Sequence, residues 1–533
     1  MSKMKEFKWW QRGIIYQIYP RSFFDSNGDG IGDLPGIHSK LDYLQWLGID
    51  AIWVSPVFPS PMADFGYDIS NYTDIDPVFG TLGDFDELVS DAHTRGLKVL
   101  LDYVPNHTSD RHPWFIESRS SRQNAKRSWY IWRDPKPDGS PPNNWLANFG
   151  GRAWEWDEKT GQYYYHAFLK EQPDLDWRNP EVQEATLGVM RFWLDRGVDG
   201  FRVDVMHHIL KDLELRDNPP NPDWRPGLHP YRELLTTHTV DLPGVQDIVA
   251  KMRAVVEEYE DRMIVGEIYL PVDRIMAYYG ASGEGAHLPF NFQLIGLPWN
   301  ARDIAAAVER YEALLPSFGW PNWVLGNHDK PRVATRIGAA QARVAAMMLL
   351  TLRGTPTMYY GDEIGMHNVA IPPERVQDPF EKNVPGLGVG RDPERTPMQW
   401  NNTAQAGFTS SSPWLPISAD FSRINVAKAQ SDPFSILALY KRLIELRRAE
   451  RALSVGDFTH LPAGEDLMAY VRRAEDRRML VLLNLGGKPR SFDLSDLACS
   501  SRLLLSTYLD RSPKLLRGEI SLRPDEGMLI ELL

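Results

Sequence analysis

The sequence predicts an α/β fold: a (β/α)8 barrel of the TIM type, with a subdomain inserted after strand 3 and a C-terminal antiparallel β domain. Three observations carry that prediction. Apolar, β-branched runs alternate with segments of helical periodicity over most of the chain, which implies a parallel sheet covered by helices. Four of the runs stop on polar residues, in DYVPNH (102–107), GFRVDV (200–205), VGEIY (265–269) and LGNHD (325–329). A run of this kind reads as a buried parallel strand whose C-terminal end meets solvent, where barrels place their chemistry. Beyond about residue 454, strand patterns follow one another with no helix between them.

The elements follow in order. Runs at 14–19, 51–54 and 99–104 read as strands, separated by Leu41, Leu44 and Leu47 and then by Phe85, Leu88, Val89 and Ala92 at helical spacing. After His107 the rhythm stops for about 65 residues rich in Trp, Pro, Gly and Asn, such as PDGSPPNNWLANFGG. A stretch that long inside a compact unit is a functional loop or a small domain of its own. The alternation resumes with a helix at 182–194 and strands at 200–205, 263–267, 288–294, 323–329 and 355–360, which brings the total to eight. A long helix presents Ile436, Leu439, Tyr440, Leu443 and Ile444 on one face. Strands at 467–471 and 479–485 then open the β tail. The resulting division is 1–104 with 174–454 for the barrel, 105–173 for the insert and 455–533 for the tail.

Composition narrows the function classes. A chain of 533 residues with 43% hydrophobic content can bury a large core, and it exceeds what one core usually holds. Its net charge of −12, with no Lys/Arg cluster to interrupt it, argues against a nucleic-acid partner. Cys499 is the single cysteine, so no intrachain disulfide forms. Residues 1–13 are charged, carry Trp9 and Trp10, and lack the apolar stretch of a signal peptide. The longest apolar helix candidate, 344–352, falls short of the roughly 20 residues that span a bilayer. The expectation is a cytoplasmic protein with no membrane partner, either monomer or homo-oligomer.

The strand ends offer Asp204, Glu267 and Asp329, with His107, Arg202 and His328 beside them. Two convergent carboxyls are what cleavage of a glycosidic bond requires, one acting at the anomeric carbon and the other protonating the leaving oxygen. Arg202 precedes Asp204 by two residues and so shares its strand face, where a fixed guanidinium is expected to keep Asp204 ionised. Glu267, desolvated beside two other carboxylates, is expected to have a raised pKa and to wait protonated. His107 and His328 sit where neutral imidazoles hydrogen-bond sugar hydroxyls. The aromatic content, with 18 Trp, 21 Tyr and 21 Phe, would supply flat surfaces for sugar faces, although most such rings pack a core.

A second motif, DSNGDGIGD (25–33), places oxygen ligands at Asp25, Asn27, Asp29, the carbonyl of Ile31, and Asp33, with Gly30 at the sharp turn. This copies the first five ligand positions of a calcium loop, while position 12 is Gly36 instead of a bidentate glutamate. One structural Ca²⁺ or Mg²⁺ is expected there, remote from the carboxylates, and no organic cofactor.

Eight strands, an excursion after the third, a β tail and the four quoted segments in this order resemble the α-amylase family, glycoside hydrolase family 13, over nearly the whole chain. QPDLDW (172–177) and RTPMQW (395–400) are similar to the α-glucosidase and oligo-1,6-glucosidase branch, although much of that branch reads QPDLN where this chain has Asp176. The resemblance implies Asp204 as nucleophile, Glu267 as general acid and base, and Asp329 as a third carboxylate that holds the sugar's hydroxyls. In DFGYD (64–68) it implies that Tyr67 stacks on a terminal glucose and that Asp64 closes the pocket with an arginine, placed at Arg395, with Arg391 as the other candidate. A closed pocket implies exo-action on small oligosaccharides of the maltose, isomaltose or trehalose type. Phe168 is expected to line the pocket, Val205 to accompany acceptance of α-1,6 bonds, and 211–230 to border the leaving sugar. Two other outcomes stay open: glucosyl transfer, as in sucrose isomerases and trehalose synthases, and a catalytically silent barrel that serves as an interaction module.

Overall fold

In a computed structural model, which describes residues 6–533, eight parallel strands follow one another around a barrel; the first five positions of the predicted first segment lie outside the described residues. The strands are β1 (Ile15–Ile18), β2 (Ala51–Val54), β3 (Lys98–Tyr103), β4 (Gly200–Val203), β5 (Met263–Gly266), β6 (Leu288–Pro289), β7 (Asn322–Val324) and β8 (Thr355–Tyr359). β1 to β6 pair in sequence order, β7 pairs with β8, and β8 pairs back onto β1. The seam between β6 and β7 is held by one bridge, Asn291 to Trp323.

The period of two sorts the side chains into two cores. Ile15, Trp53, Leu100, Val265 and Leu288 fill the barrel interior. Tyr16, Ile52, Val99, Leu101 and Ile264 face the surrounding helices. Those helices end where the local chemistry dictates. Pro180–Asp195 starts on Asn179, whose side chain accepts the Glu181 N–H, with proline at its first position. Ile436–Ala449 starts on Ser435, whose hydroxyl accepts the Ala438 N–H.

Most predicted strands reappear within a residue or two. The predicted strand 288–294 does not: it stops at Pro289, and the helix Gln293–Gly296 occupies its far end. The Phe290 N–H still donates to the Gly266 carbonyl at 2.9 Å, so pairing runs a little past Pro289 before that helix takes over, and Phe290 and Phe292 pack into the barrel interior. The predicted 323–329 likewise ends at Val324, leaving Gly326 to Asp329 as a rim segment.

Between β3 and β4 the insert forms a short helix, Pro113–Ser118, and a three-stranded antiparallel sheet of Trp132–Arg133, Gln162–Tyr165 and Trp154–Asp157. It is latched to the barrel through a buried ion pair, Lys211 to Asp174, while Asn106 Nδ2 donates to Asp174 at 2.8 Å. The C-terminal part is antiparallel, with a six-stranded and a two-stranded sheet. Buried Arg472 joins it to the barrel, donating to the carbonyls of Leu453 and Gly456 at 2.9 Å. Among the described residues, no helix is long and apolar enough to cross a membrane.

Gly200 opens β4 with φ +155°, and a Cβ there would lie 2.2 Å from the Met263 carbonyl oxygen of the neighbouring strand. Because a backbone atom cannot yield as a side-chain tip does, Gly200→Ala is expected to cost about 3 kcal/mol or more in urea unfolding. A loss under about 1 kcal/mol would mean that the two strands are less closely apposed.

Candidate active site

The functional side chains lie just past the strand ends. The Asp204 N–H still donates to the Tyr103 carbonyl at 2.8 Å, and the Glu267 N–H to the Val203 carbonyl at 2.9 Å, so the ladders continue one residue beyond β4 and β5. Parity then fixes the aim. Asp102, Arg202 and Val265 are in register across three strands, and Val265 points into the barrel. Asp204 and Glu267, two residues further on, point the same way.

Arg202 is the centre of this group, 1% exposed. Its Nη1 donates to Asp102 and to Asp204 at 2.8 Å each, and its Nη2 lies 2.6 Å from Glu267 Oε2. The Asp204 and Glu267 carboxyls thus each meet a terminal nitrogen of the same guanidinium. One guanidinium therefore serves three buried carboxyls. Burial, helped by the charges of Glu267 and Asp102, pushes Asp204 well above the usual carboxylate range against the pull of Arg202. Burial also raises Asp102 to about 6. The expectation that Arg202 holds Asp204 low is thus corrected, because burial outweighs the guanidinium.

Asp329 is treated differently. Arg395 Nη2 lies 2.8 Å and Arg391 Nη1 3.2 Å from its Oδ1. Burial opposes ionisation, but His328, Arg391 and Arg395 outweigh it and hold Asp329 far below its ordinary value. Burial keeps His328 itself neutral, so the charge comes from the two arginines. Its Nδ1 faces Gln17 Nε2 at 2.8 Å, and because an amide nitrogen only donates, the ring proton sits on Nε2. Nε2 in turn meets the Tyr67 hydroxyl at 2.9 Å.

The Tyr67 hydroxyl donates onward to Asp102 at 3.0 Å, and its ring lies parallel to His328 at 5.4 Å. His107 Nε2 lies 3.1 Å from the Tyr67 carbonyl and 3.1 Å from Gln172 Nε2, and burial lowers its pKa to about 4. Phe168, from the insert, packs 5.4 Å from His107.

These groups line a cavity of about 630 Å³ that includes Asp64, Tyr67, His107, Phe168, His328 and all three acids. Two predicted substrate contacts are corrected. Arg202 and Arg395 do not line it; they stand behind the wall, consumed by carboxylates. The partner of Asp64 is Arg391, at 2.8 Å, and not Arg395, which is fully buried and donates to Asp329 and to the His328 carbonyl. Both arginines flank one short turn, Asp392–Glu394, and the sequence offers no way to choose between them. Asp102 and Gln17 were missed, although Asp102 ends the same apolar run as His107. His207, Tyr231, Arg232 and Phe380 also line the cavity, from segments without periodicity. Val205 adopts φ +34°, an uncommon left-handed conformation for a β-branched residue, and its N–H donates to Glu267 Oε2 at 3.0 Å.

The 25–33 loop folds on itself. Asp25 accepts from the N–H groups of Asn27, Gly28 and Gly30, Asp29 from Ile31, and Asp33 from Ser26 and Gly36. Among the described residues no three His, Cys, Asp or Glu side chains form a metal cluster. Each Asp25 oxygen already accepts two hydrogen bonds, Oδ1 from Asn27 and Gly28 and Oδ2 from Gly30 and Thr409, so a cation fits only on Asp29, Asp33, Asn27 and the Ile31 carbonyl.

The model of the α-amylase catalytic domain matches residues 17–456. The chain belongs to the α-amylase family. It is 43% identical to a probable α-glucosidase of Rhizobium meliloti over 91% of both chains. It is 40% identical to an oligo-1,6-glucosidase of Parageobacillus thermoglucosidasius, covering 98% of this chain and 99% of the other. Among solved structures, an α-glucosyl transfer enzyme, XgtA, superposes with a TM-score of 0.94 at 40% identity, covering 99% and 100%. Glycoside hydrolase chemistry is therefore the family's setting for this cavity.

Replacing Arg202 by Met strands three buried carboxyls without a cation. Arg202→Met is expected to lose about 3 to 5 kcal/mol in urea unfolding at neutral pH, with part recovered on acidification as the carboxyls protonate. A stability within about 1 kcal/mol of the parent would show that the guanidinium is not their common counterion.

Proposed function

We propose that this chain is an exo-acting, retaining α-glucosidase that releases terminal glucose from short α-linked oligosaccharides. The observation that carries the reading is that Asp204 and Glu267 share one guanidinium, on a cavity that also holds the Asp64 and Arg391 pair. Two carboxyls held that close to each other favour double displacement over inversion.

In the proposed reaction Glu267 enters as the acid and Asp204 as the bare carboxylate. The Asp204 oxygen attacks the anomeric carbon, the bond from that carbon to the leaving oxygen breaks, and the leaving oxygen takes the proton of Glu267. Water then gives a proton back to Glu267 while its oxygen displaces Asp204, restoring the original configuration. Asp329, held ionised by two arginines, accepts hydrogen bonds from ring hydroxyls and favours the positive charge that develops at the anomeric carbon. His107 and His328, both kept neutral by burial, add no charge to repel it.

Glucosyl transfer is the second reading, favoured by the likeness to the α-glucosyl transfer enzyme. It follows the same first half, with a sugar hydroxyl in place of water in the second. One experiment separates the readings: incubation with maltose, isomaltose, sucrose and trehalose, with products followed by NMR. Hydrolysis gives α-glucose first, transfer gives new disaccharides, and β-glucose first would sink both. Asp204→Asn is expected to lower kcat by about three orders of magnitude or more while leaving the fold intact.

We further propose that loop 25–33 takes one divalent cation, supported by oxygen donors at every second position. Exhaustive chelation should then lower Tm, and Ca²⁺ or Mg²⁺ should restore it. An unchanged Tm would assign the loop to self-satisfied turns.

A further inference from the structure

The two ends of the cavity carry opposite charge. At the glucose end, the guanidiniums of Arg202, Arg391 and Arg395 are divided among six carboxyl groups, so negative charge is in excess even with a proton on the catalytic pair. At the other end the lining contains Arg232 and Lys330, and neither forms an ion pair among the described residues. Lys330 Nζ sits 5.2 Å over the ring of Tyr269, two residues beyond Glu267, which places it on the side where the leaving group departs. Arg232 lies near His229, whose pKa is lowered by burial and then by that neighbouring charge.

His229 completes the rim. Its Nδ1 accepts the Tyr231 N–H at 3.1 Å, so the neutral ring carries its proton on Nε2, and this buried atom has no hydrogen-bond partner. The acids on the same segments are turned away. Asp241 is held by Arg274 at 2.6 Å and Tyr278 at 2.8 Å, Glu381 accepts the Gly390 N–H at 3.0 Å, and Glu233 is exposed and outside the lining. Glu394, which also lines the cavity, is raised to about 8 by burial and so is uncharged at neutral pH, which leaves two cations without an ion pair and one orphan donor in the lining.

We propose that this rim accepts an anionic leaving group, and that the substrates of this chain include α-glucosides whose aglycone carries a carboxylate or a phosphate-type group. The inference rests on the retaining glucosidase reading of the other end. A low-dielectric cleft lined by one sign of charge raises the local concentration of the opposite sign and orders its approach, so the negative end of the substrate enters last and stays at the rim. The glucose end, rich in carboxylates, repels the same group and prevents binding in reverse.

The test compares kcat/KM for 4-carboxyphenyl, 4-phosphonophenyl and 4-carbamoylphenyl α-D-glucosides at low and high salt, in the parent and in the double variant Arg232→Gln, Lys330→Gln. The ratio of anionic to neutral substrate cancels general effects on turnover. That ratio should fall by about fivefold in the variant, and in the parent on adding salt. A ratio indifferent to both changes overturns the proposal. A steeper response for the phosphonate assigns the rim to phosphate-type groups, and a steeper one for the carboxylate assigns it to carboxylates. Calorimetry with the sulfur-linked analogues, which resist cleavage, separates the two readings. If no glucoside is turned over, the glucosidase reading fails, while tighter, salt-sensitive binding of the anionic analogue still supports the rim and equal affinity ends it.

Discussion

One guanidinium organises the centre of this molecule. Arg202 is buried among Asp102, Asp204 and Glu267, and its two terminal nitrogens reach all three. Removing such a charge from water is costly, and it persists only because the planar fork meets oxygens on several sides. The arrangement needs β3, β4 and β5 in their observed register, since a slip of one residue would turn Arg202 out of the barrel. Strand pairing, glycine at the start of β4 and the inward aim of the acids are therefore facets of one constraint. Burial outweighs the shared positive charge at Asp204, whose carboxyl is pushed well above the usual range.

The barrel was largely legible from the chain. Strand 51–54 coincides with the predicted one, and the ends of the runs at Asp204 and Glu267 mark where the sheet gives way to the cavity. Buried parallel strands are apolar on both faces, so their interruption by charge is a strong signal. The same reasoning misjudged 288–294, where apolar residues continue but pairing fades after Phe290 and a short helix takes over. An apolar run reports burial, and only hydrogen-bonding capacity reports a strand.

The site was less completely legible, for a different reason. Side chains that touch across the chain leave no local trace. Asp102 and Gln17 were hidden inside strands read as apolar, and the choice between Arg391 and Arg395 depended on a single turn that aims one at Asp64 and the other at Asp329. The loops that supply His229, Tyr231, Arg232 and Phe380 have no periodicity, so nothing in their sequence says which residues face the cavity.

The latch between Lys211 and Asp174 ties the insert to the loop that follows Asp204. The walls of the cavity are thus borrowed from segments that hang outside the barrel, whereas Asp204 and Glu267 directly follow its strands. Substitutions in those segments can reshape what is recognised without disturbing the ionic cluster beneath. An architecture of this kind lets selection alter substrate preference at little risk to the chemistry itself.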